Sequence, residues 1–348
     1  MAPSDRTLRA VILIAVLVFA LAFPMYASGY RLYQGAQVLI YAIALLGLNL
    51  LTGFNGQISL GHGAFFAIGG YGAAILTAKL GVPYWAAVPI ASVVCFGAGF
   101  LFGFPALRFG GLYLALATFA LAVAAPQILT YKGFDAWTGG SSGVSLVKPH
   151  APFGLPLNPD QWLYLLCLVC AVALFWAASN IARGRVGRAL IAIRDQPIAA
   201  ETMGVNAALY KTTCFGVSAL YAGVAGGLSA LVVGFVSPES FGLPLSLSFL
   251  VGIVVGGLAS LNGAIFGALF IEFVPNYADM LSVTFGESAK ALPGAIYGAL
   301  LILIMGVMPM GIAGFLGIVF RAGMRAIAGA GRQADGIAVA RTGKGGHP

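Results

Sequence analysis

The sequence has little charge: only 8% of its 348 residues are charged, whereas 60% are hydrophobic, and its mean hydropathy is +0.97. Soluble domains carry roughly a quarter charged residues, so this composition excludes a soluble globular protein. Long apolar runs recur along the chain, which indicates a membrane protein with many spans rather than a domain with one anchor. The net charge of +8 does not indicate nucleic-acid binding, because the basic residues are scattered between apolar runs.

Groups that carry chemistry are also scarce. There is no Gly-x-x-x-x-Gly-Lys-Ser/Thr motif for nucleotide phosphates and no nucleophile paired with a base. His62 has no second histidine or carboxylate at helical spacing, which argues against a metal site. Apart from Glu272, which we expect near an outer end, no charged residue lies at the centre of an apolar run, so no proton relay is predicted. We therefore expect a protein that is not an enzyme, holds no cofactor and takes its energy from elsewhere.

The four cysteines lie within apolar segments, so we expect buried thiols and no disulfide framework. These residues are Cys95, Cys167, Cys170 and Cys214.

Ten apolar segments predict about ten membrane-spanning helices. We expect the first segment to be a retained helix rather than a cleaved signal peptide. Two segments, 36–52 and 244–260, are short for a hydrocarbon core about 30 Å thick, which makes them candidates for partial or broken helices. The ten segments are 8–28, 36–52, 60–80, 84–107, 111–131, 161–182, 210–236, 244–260, 262–283 and 291–318.

The distribution of basic residues predicts that both termini are cytoplasmic. With that orientation, thirteen of the eighteen Lys and Arg residues lie on the inner side and five on the outer side. We divide the chain into an N-terminal segment with the first helix (1–34), a transmembrane domain (35–319) and a loose basic tail (320–348), whose arginines we expect to touch anionic lipid. Two long loops interrupt the domain, an outer one at 132–160 and an inner one at 183–209.

One polar stretch interrupts the apolar sequence, GFNGQISLGHGAFFAIGGYGAAIL, from Gly53 to Leu76. A polar group in lipid costs several kcal/mol unless it has a partner, so these side chains must face protein or water. Two interpretations remain open here: a cytoplasmic turn with solvated side chains, or a broken-helix entrance to a translocation path. The second interpretation predicts a path lined by Asn55, Gln57, Ser59, His62 and Tyr71.

The inner loop carries the signals of a short helix. Asp195-Gln196-Pro197 is a typical helix start, and Gly204 is a typical stop, which predicts about two turns with a length of roughly 10 Å. The helix has an apolar surface of small and flexible residues, with charge at its edges. It is either a connector packed on its own protein or a plug that docks into a cytoplasmic partner.

Glycine pairs at four-residue spacing predict close helix packing rather than a functional site. The pairs are Gly99 and Gly103, Gly223 and Gly227, Gly252 and Gly256, and Gly263 and Gly267.

Four stretches together resemble a known family. They are GLNLLTGFNGQISLGHGAFFAIGGYGAAIL (47–76), GLYLALATFALA (111–122), TGGSSGVS (138–145) and GRALIAIRDQPIAAETMGVN (187–206). The combination resembles the membrane permease of bacterial branched-chain amino-acid ABC importers, and more closely the longer of that importer's two permeases. The likeness covers about residues 35–315.

The resemblance implies an all-α, polytopic helix bundle of the type II ABC-importer kind in the bacterial inner membrane. It implies a translocation path shared with a second, homologous permease, two cytoplasmic ATP-binding subunits and a periplasmic solute-binding protein. Permeases for urea and short-chain amides share these motifs, so that substrate class stays open. An uncoupled channel or secondary transporter is the alternative from a different class.

The resemblance also implies roles for two sets of residues. In the inner loop, the segment that meets the ATP-binding subunit comprises Arg194, Asp195, Ala199, Ala200, Glu201 and Gly204. In the outer loop, Thr138, Gly139 and Gly140 belong to the turn expected to face the solute-binding protein.

Overall fold

The computed structural model describes residues 3–107, 111–152, 156–285 and 292–318. Apart from one pair of two-residue strands, the regular secondary structure of the described residues is helical. The helices are α1 (Pro3–Tyr26), α2 (Gly29–Leu48), α3 (His62–Ala78), α4 (Tyr84–Ala106), α5 (Leu112–Leu129), α6 (Asp135–Thr138), α7 (Pro159–Arg183), α8 (Arg185–Asp195), α9 (Pro197–Thr202), α10 (Ala207–Val233), α11 (Leu243–Gly256), α12 (Leu261–Phe285), α13 (Leu292–Val307) and α14 (Gly311–Ile318).

Short elements complete the description. A π-helical turn, Asn49–Phe54, continues α2, and 3₁₀ turns span Lys132–Phe134, Gly140–Ser142 and Pro238–Phe241. The strands β1 (Val144–Ser145) and β2 (Phe235–Val236) pair antiparallel, with Val144 opposite Val236.

The described helices confirm an all-α membrane bundle, with a helix at each of the ten predicted segments. Within the described ranges, six helices are long and apolar enough to cross a membrane by length and composition, or seven if the pair Gly294–Val307 and Gly311–Ile318, bent by 40°, is one span. The chain is therefore a multi-pass membrane protein, while the number ten stays a prediction.

Two of the predicted segment lengths are wrong. The segment predicted at 36–52 is part of a continuous 26-residue helix, Gly29–Phe54, because the polar residues near its start were excluded from the apolar run. The segment predicted at 244–260 belongs to Pro238–Gly256, where a 3₁₀ turn precedes α11. The boundary predicted between 34 and 35 lies inside α2.

The core of the bundle forms where α10 packs against α4, α3 and α2. Glycines allow these helices to cross at short backbone distance. A Cβ atom added at Gly69 of α3 would overlap the backbone of Gly223 in α10. Gly103 of α4 lies against Thr212 of α10 in the same way. Because the backbones approach without intervening side chains, the helices gain many dispersion contacts over a short crossing.

Helices α11 and α12 also pack closely through glycines. Cβ atoms at Gly252 and Gly256 on α11, or at Gly263 and Gly267 on α12, would overlap the facing helix. The prediction that these glycine pairs serve packing is confirmed.

Helix α1 is held by α7 through hydrogen bonds to its last turns. Gln161 Nε2 donates to the Pro24 carbonyl over 2.9 Å, and the Tyr164 hydroxyl donates to the Ala20 carbonyl over 3.2 Å. The basic tail predicted at 320–348 lies outside the described residues.

Two further predictions concern side chains inside the bundle, the cysteines and Glu272. All four cysteines are free thiols and three of them are buried, as expected. Glu272, expected near an outer end, instead lies at the middle of α12, buried, and its side chain accepts a hydrogen bond from Asn276 Nδ2 over 3.3 Å. The expectation was wrong because residue 272 is already at the midpoint of the predicted segment 262–283, as it is in α12.

Candidate functional site

The polar stretch forms a compact turn between α2 and α3, which we call the polar turn (residues 55–61). Asn55 is only 2% exposed, and Gln57, Ser59 and His62 are likewise buried. The interpretation as a turn with solvated side chains is therefore wrong, because these four side chains lie inside the chain. Tyr71 is buried nine residues further along α3 than His62 and is not part of this group.

Most of these polar groups have local partners. Asn55 Nδ2 donates to Gln57 Oε1 over 2.7 Å, and the His62 Nε2 group donates to the Ala44 carbonyl of α2 over 2.9 Å. Ser59 Oγ accepts from the Gly61 amide over 3.3 Å. Asn55 Oδ1 is the exception, since it is buried without a hydrogen-bond partner among the described residues. One strong acceptor in the polar turn is thus left unused.

Two neighbouring helices satisfy the backbone amides at the start of α3. Thr118 Oγ1 of α5 accepts from the Leu60 amide over 2.9 Å, and Ser246 Oγ of α11 accepts from the Gly63 amide over 3.0 Å. A helix start has amides without helical partners, so these hydroxyls act as caps supplied from a distance in the sequence. They fix the polar turn against α5 and α11.

Asn49 was not predicted as a functional residue, yet it joins the end of α2 to the segment between α11 and α12. Its Nδ2 donates to the Ser260 carbonyl over 2.7 Å, and its Oδ1 accepts from the Ala259 amide over 2.8 Å. Asn49 itself is fully buried, and its two partners Ala259 and Ser260 are half-buried. Its presence as a lone amide in the apolar run LLGLNLL was the signal that could have identified it.

The short helix predicted in the inner loop is α9, and its start and stop are confirmed. Pro197 is its first residue, and Gly204 ends it with φ +85°, a left-handed conformation that favours glycine. Helix α8 before it was not predicted, because its apolar positions were treated as loop. Asp195 is the last residue of α8 and not the first turn of α9.

Helix α9 packs on its own chain with one face and is exposed on the other. Ala200 is buried in a small cluster with Ile193 and Ala207. Ile198 is 79% exposed and Met203 is 84% exposed. The helix is thus anchored at its middle residue while it presents two large apolar side chains outward. Ala199 and Glu201 are exposed as well.

Arg194 ties α8 and α9 to the polar turn. Its Nη1 donates to the Gly53 carbonyl over 2.8 Å, and its Nε forms an ion pair with Asp195 Oδ1 over 2.8 Å. Its side-chain stem covers Gly56, where an added Cβ would approach Arg194 Cγ to 2.7 Å. The two sets of predicted residues, the path and the inner loop, therefore meet at one end of the bundle.

A cavity of about 200 Å³ lies between the polar turn and α9. Its polar lining comes from Asn55, Gln57, Arg194 and Lys211. Its apolar lining includes Leu107, Leu114 and Ile193.

At the far end of the bundle, the TGGSSG turn is built around buried residues. Thr138 Oγ1 donates toward the Leu129 carbonyl over 2.8 Å and accepts from the Gly140 amide over 3.2 Å. Gly139 and Gly140 both have positive φ, 72° and 54°. Thr138 and Gly140 are buried, so these residues shape the turn, while Ser141 and Ser142 are exposed on it.

The chain is a bundle of apolar helices with a buried polar turn, an anchored and exposed helix at one end and a shaped loop at the other. This architecture fits a membrane permease. The chain belongs to the family described as "Branched-chain amino acid transport system / permease component", which matches residues 32–305. The description of this family is that of a transport component, not of an enzyme.

Two curated relatives illustrate the likeness. The chain is 35% identical over 282 residues to "High-affinity branched-chain amino acid transport system permease protein LivM" of Escherichia coli (strain K12), covering 74% of this chain and 66% of that protein. It is 25% identical over 292 residues to the permease protein LivH of the same system in the same strain, covering 79% of this chain and 91% of that protein. The chain thus spans about two thirds of the length of LivM, and almost all of LivH.

Among solved structures, PsaBC from Streptococcus pneumoniae in complex with Fab gives a TM-score of 0.41 at 10% identity, over 84% of this chain and 95% of that chain.

Proposed function

We propose that this chain is the membrane-spanning permease of an ATP-driven importer for branched-chain amino acids in the bacterial inner membrane. Its transmembrane domain is residues 35–319, between an N-terminal helix segment and the basic tail, and both termini lie in the cytoplasm. Membership of the family and the printed functions of LivM and LivH support this assignment. The excess of Lys and Arg on one side supports the orientation.

The observation that carries the proposal is the geometry of α9. A helix of six residues is not stable alone in water, and this one is held by Ala200 and by its neighbour α8. It keeps two large apolar side chains exposed, which is unfavourable unless a partner covers them. We propose that cytoplasmic ATP-binding subunits cover Ile198 and Met203, with Ala199, Glu201 and the Gly204 turn in the same contact.

Arg194 supplies a route from that contact to the path. It donates to the Gly53 carbonyl just before the polar turn, its stem contacts Gly56 within the turn, and it pairs with Asp195 at the end of α8. A displacement of α9 therefore moves a side chain that supports Asn55, Gln57 and their neighbours. An ATP-binding subunit that binds two bundle shapes with different affinity can shift the equilibrium between them only by that difference.

The proposal also includes the translocation path and the outer contacts. The inner part of the path is formed by Asn55, Gln57, Ser59 and His62, and Tyr71 lies further out along it. The path is shared with a second, homologous permease. The TGGSSG turn, shaped by Thr138, Gly139 and Gly140, presents Ser141 and Ser142 to a periplasmic solute-binding protein.

Uptake measurements test the docking role. Glu201→Arg reverses the charge of an exposed residue on α9, and Gly204→Pro is incompatible with φ +85°. In cells that express the complete importer, both variants should insert normally and lose leucine uptake, whereas Glu239→Arg, an exposed glutamate at the other end, should keep it. Normal uptake by both α9 variants would contradict the proposal.

A further inference from the structure

We propose that the inner end of α7 and the start of α8 form a binding site for the headgroup of an anionic phospholipid. The site consists of Arg183, Arg185 and Arg188, which we call the arginine cluster, at the end of an exposed apolar face of α7. The inference goes beyond the proposed function and takes from it only the assignment of this end of α7 to the cytoplasmic side of the membrane.

One face of α7 is exposed toward its inner end, and its chemistry changes along the helix. Val169 and Val172 are exposed, and Trp176 is 70% exposed. Asn180 and Arg183 continue the same exposed face. Residues at these three- and four-residue spacings lie on one side of a helix. The face therefore passes from aliphatic to aromatic, then to an amide and finally to a cation.

This order matches the layers of one leaflet of a bilayer. Aliphatic side chains suit the acyl chains, tryptophan is enriched where the hydrocarbon meets the headgroups, and arginine is favoured at the cytoplasmic surface. Trp176 and Arg183 are seven residues apart, which is about 10 Å along a helix. With Trp176 at the edge of the hydrocarbon, Arg183 lies at the depth of the headgroups.

The turn from α7 into α8 brings the other two arginines to the same place. Gly184 joins the two helices in extended backbone, and a Cβ atom added at Gly187 would overlap the backbone of Ala182 in α7. The first turn of α8 therefore packs directly against the last turn of α7. Arg188 Nη1 donates to the Arg183 carbonyl over 3.4 Å, which places this guanidinium at the end of α7.

The arginine cluster carries three positive charges without a carboxylate beside it. All three residues are exposed, and none of them forms an ion pair with a described residue. The next acidic residue along the chain, Asp195, is already paired with Arg194. Guanidinium groups bind phosphate oxygens through two parallel hydrogen bonds, so a phosphodiester supplies the acceptor that the chain itself does not.

The opposite side of α8 faces the bundle. Leu190 and Ile193 are buried, whereas Arg185 and Arg188 are exposed. A helix with one apolar and one basic side at the end of a membrane span is typical of a segment that lies among the headgroups. Because Ile193 also packs against Ala200 of α9, a lipid bound at the arginine cluster stabilises the helix on which α9 rests.

Quenching of tryptophan fluorescence by brominated lipid tests the site, because Trp176 is an exposed reporter on the same face. The full chain is placed in phosphatidylcholine nanodiscs that contain a fixed share of dibrominated phosphatidylglycerol or of dibrominated phosphatidylcholine. The signal of Trp176 is the difference between the chain and its Trp176→Phe variant. Trp85, 69% exposed at the start of α4, gives the control signal in the same way and reports the general enrichment of lipids around the protein.

Each basic residue at an anionic lipid surface strengthens binding about fivefold. The preference for phosphatidylglycerol over phosphatidylcholine should therefore be at least about fivefold larger at Trp176 than at Trp85, and this excess should shrink as salt is added. Combining Arg183→Gln, Arg185→Gln and Arg188→Gln should remove the excess while quenching by phosphatidylcholine stays the same, which shows that the face still lies in the bilayer. Arg31→Gln, at an exposed arginine near the start of α2, should leave the excess unchanged.

An equal preference at Trp176 and Trp85, or an excess that survives the triple variant, would overturn the inference. Inorganic phosphate should reduce the excess no more than sodium chloride of the same ionic strength, and a larger reduction would assign the cluster to free phosphate. Loss of Trp176 quenching by both lipids in the assembled importer would show that a protein covers the face and would also overturn the inference. Weaker binding of the ATP-binding subunits by the triple variant, with no lipid preference in the chain alone, would assign the arginines to a protein contact.

Leucine uptake by the complete importer is measured in parallel. Normal uptake without a lipid preference would refute this site alone. A lipid preference in a complete importer that takes up no leucine would refute the proposed function and leave the lipid site in place.

Discussion

The exposed apolar residues of α9 allow a quantitative prediction about its partner. Ile198 and Met203 are 79% and 84% exposed, so nearly all of their apolar surface is still available for burial in a contact. Complete burial of an Ile or Met side chain contributes about 1.5–3 kcal/mol. Replacing each with serine should therefore weaken binding of the ATP-binding subunits about tenfold or more, and replacing both should weaken it on the order of a hundredfold.

The assay is equilibrium binding of purified ATP-binding subunits to the permease complex in nanodiscs, with leucine-stimulated ATP hydrolysis as a second readout. Ile198→Ser and Met203→Ser should not unfold the chain, because both side chains are already in solvent. Leu80→Ser is the matched control, since Leu80 is 56% exposed beyond the opposite end of α3. Unchanged binding by the double variant, or an equal loss in the control, would refute a docking role for α9.

Two further predictions concern the bundle that supports the site. Asn49→Ala removes the side-chain partner of two half-buried backbone groups and should cost about 1–3 kcal/mol, seen as a lower Tm in detergent. Gln34→Ala on the same helix should change the Tm little. Gly69→Ala forces a Cβ into the α10 backbone and should cost about 1–3 kcal/mol or more, whereas Gly97→Ala, with open space around it, should be neutral or stabilising. A Tm for either main variant equal to that of its control would contradict the packing described.

The parts of the fold set by local physics could be predicted from the sequence. Apolar length located the helices, and Pro197 with Gly204 located α9, because both signals act within one or two turns of chain. The glycine pairs 252/256 and 263/267 also predicted close packing. A glycine has no side chain to hold a neighbouring helix away, whichever helix that neighbour is.

Long-range contacts could not be predicted in this way. Thr118 and Ser246 cap α3 from two other helices, and Asn49 bonds residues more than two hundred positions away. Nothing in the local sequence distinguishes Thr118 and Ser246 from ordinary polar residues in a helix. Asn49 stands out as a lone amide in an apolar run, but the run does not indicate which residues it bonds. The burial of Asn55 and Gln57 depends on Arg194 and α8, which fold over the polar turn from the inner loop.

The central claim is that the chain moves solute only when ATP-binding subunits act on α9. Proteoliposomes with this chain alone, and others with the second permease, the ATP-binding subunits, the solute-binding protein and ATP, give the direct measurement. We predict that leucine accumulates only in the complete, ATP-supplied vesicles and that the chain alone passes neither leucine nor urea. Leucine transport by the chain alone, or ATP-independent accumulation by the complete set, would contradict the claim.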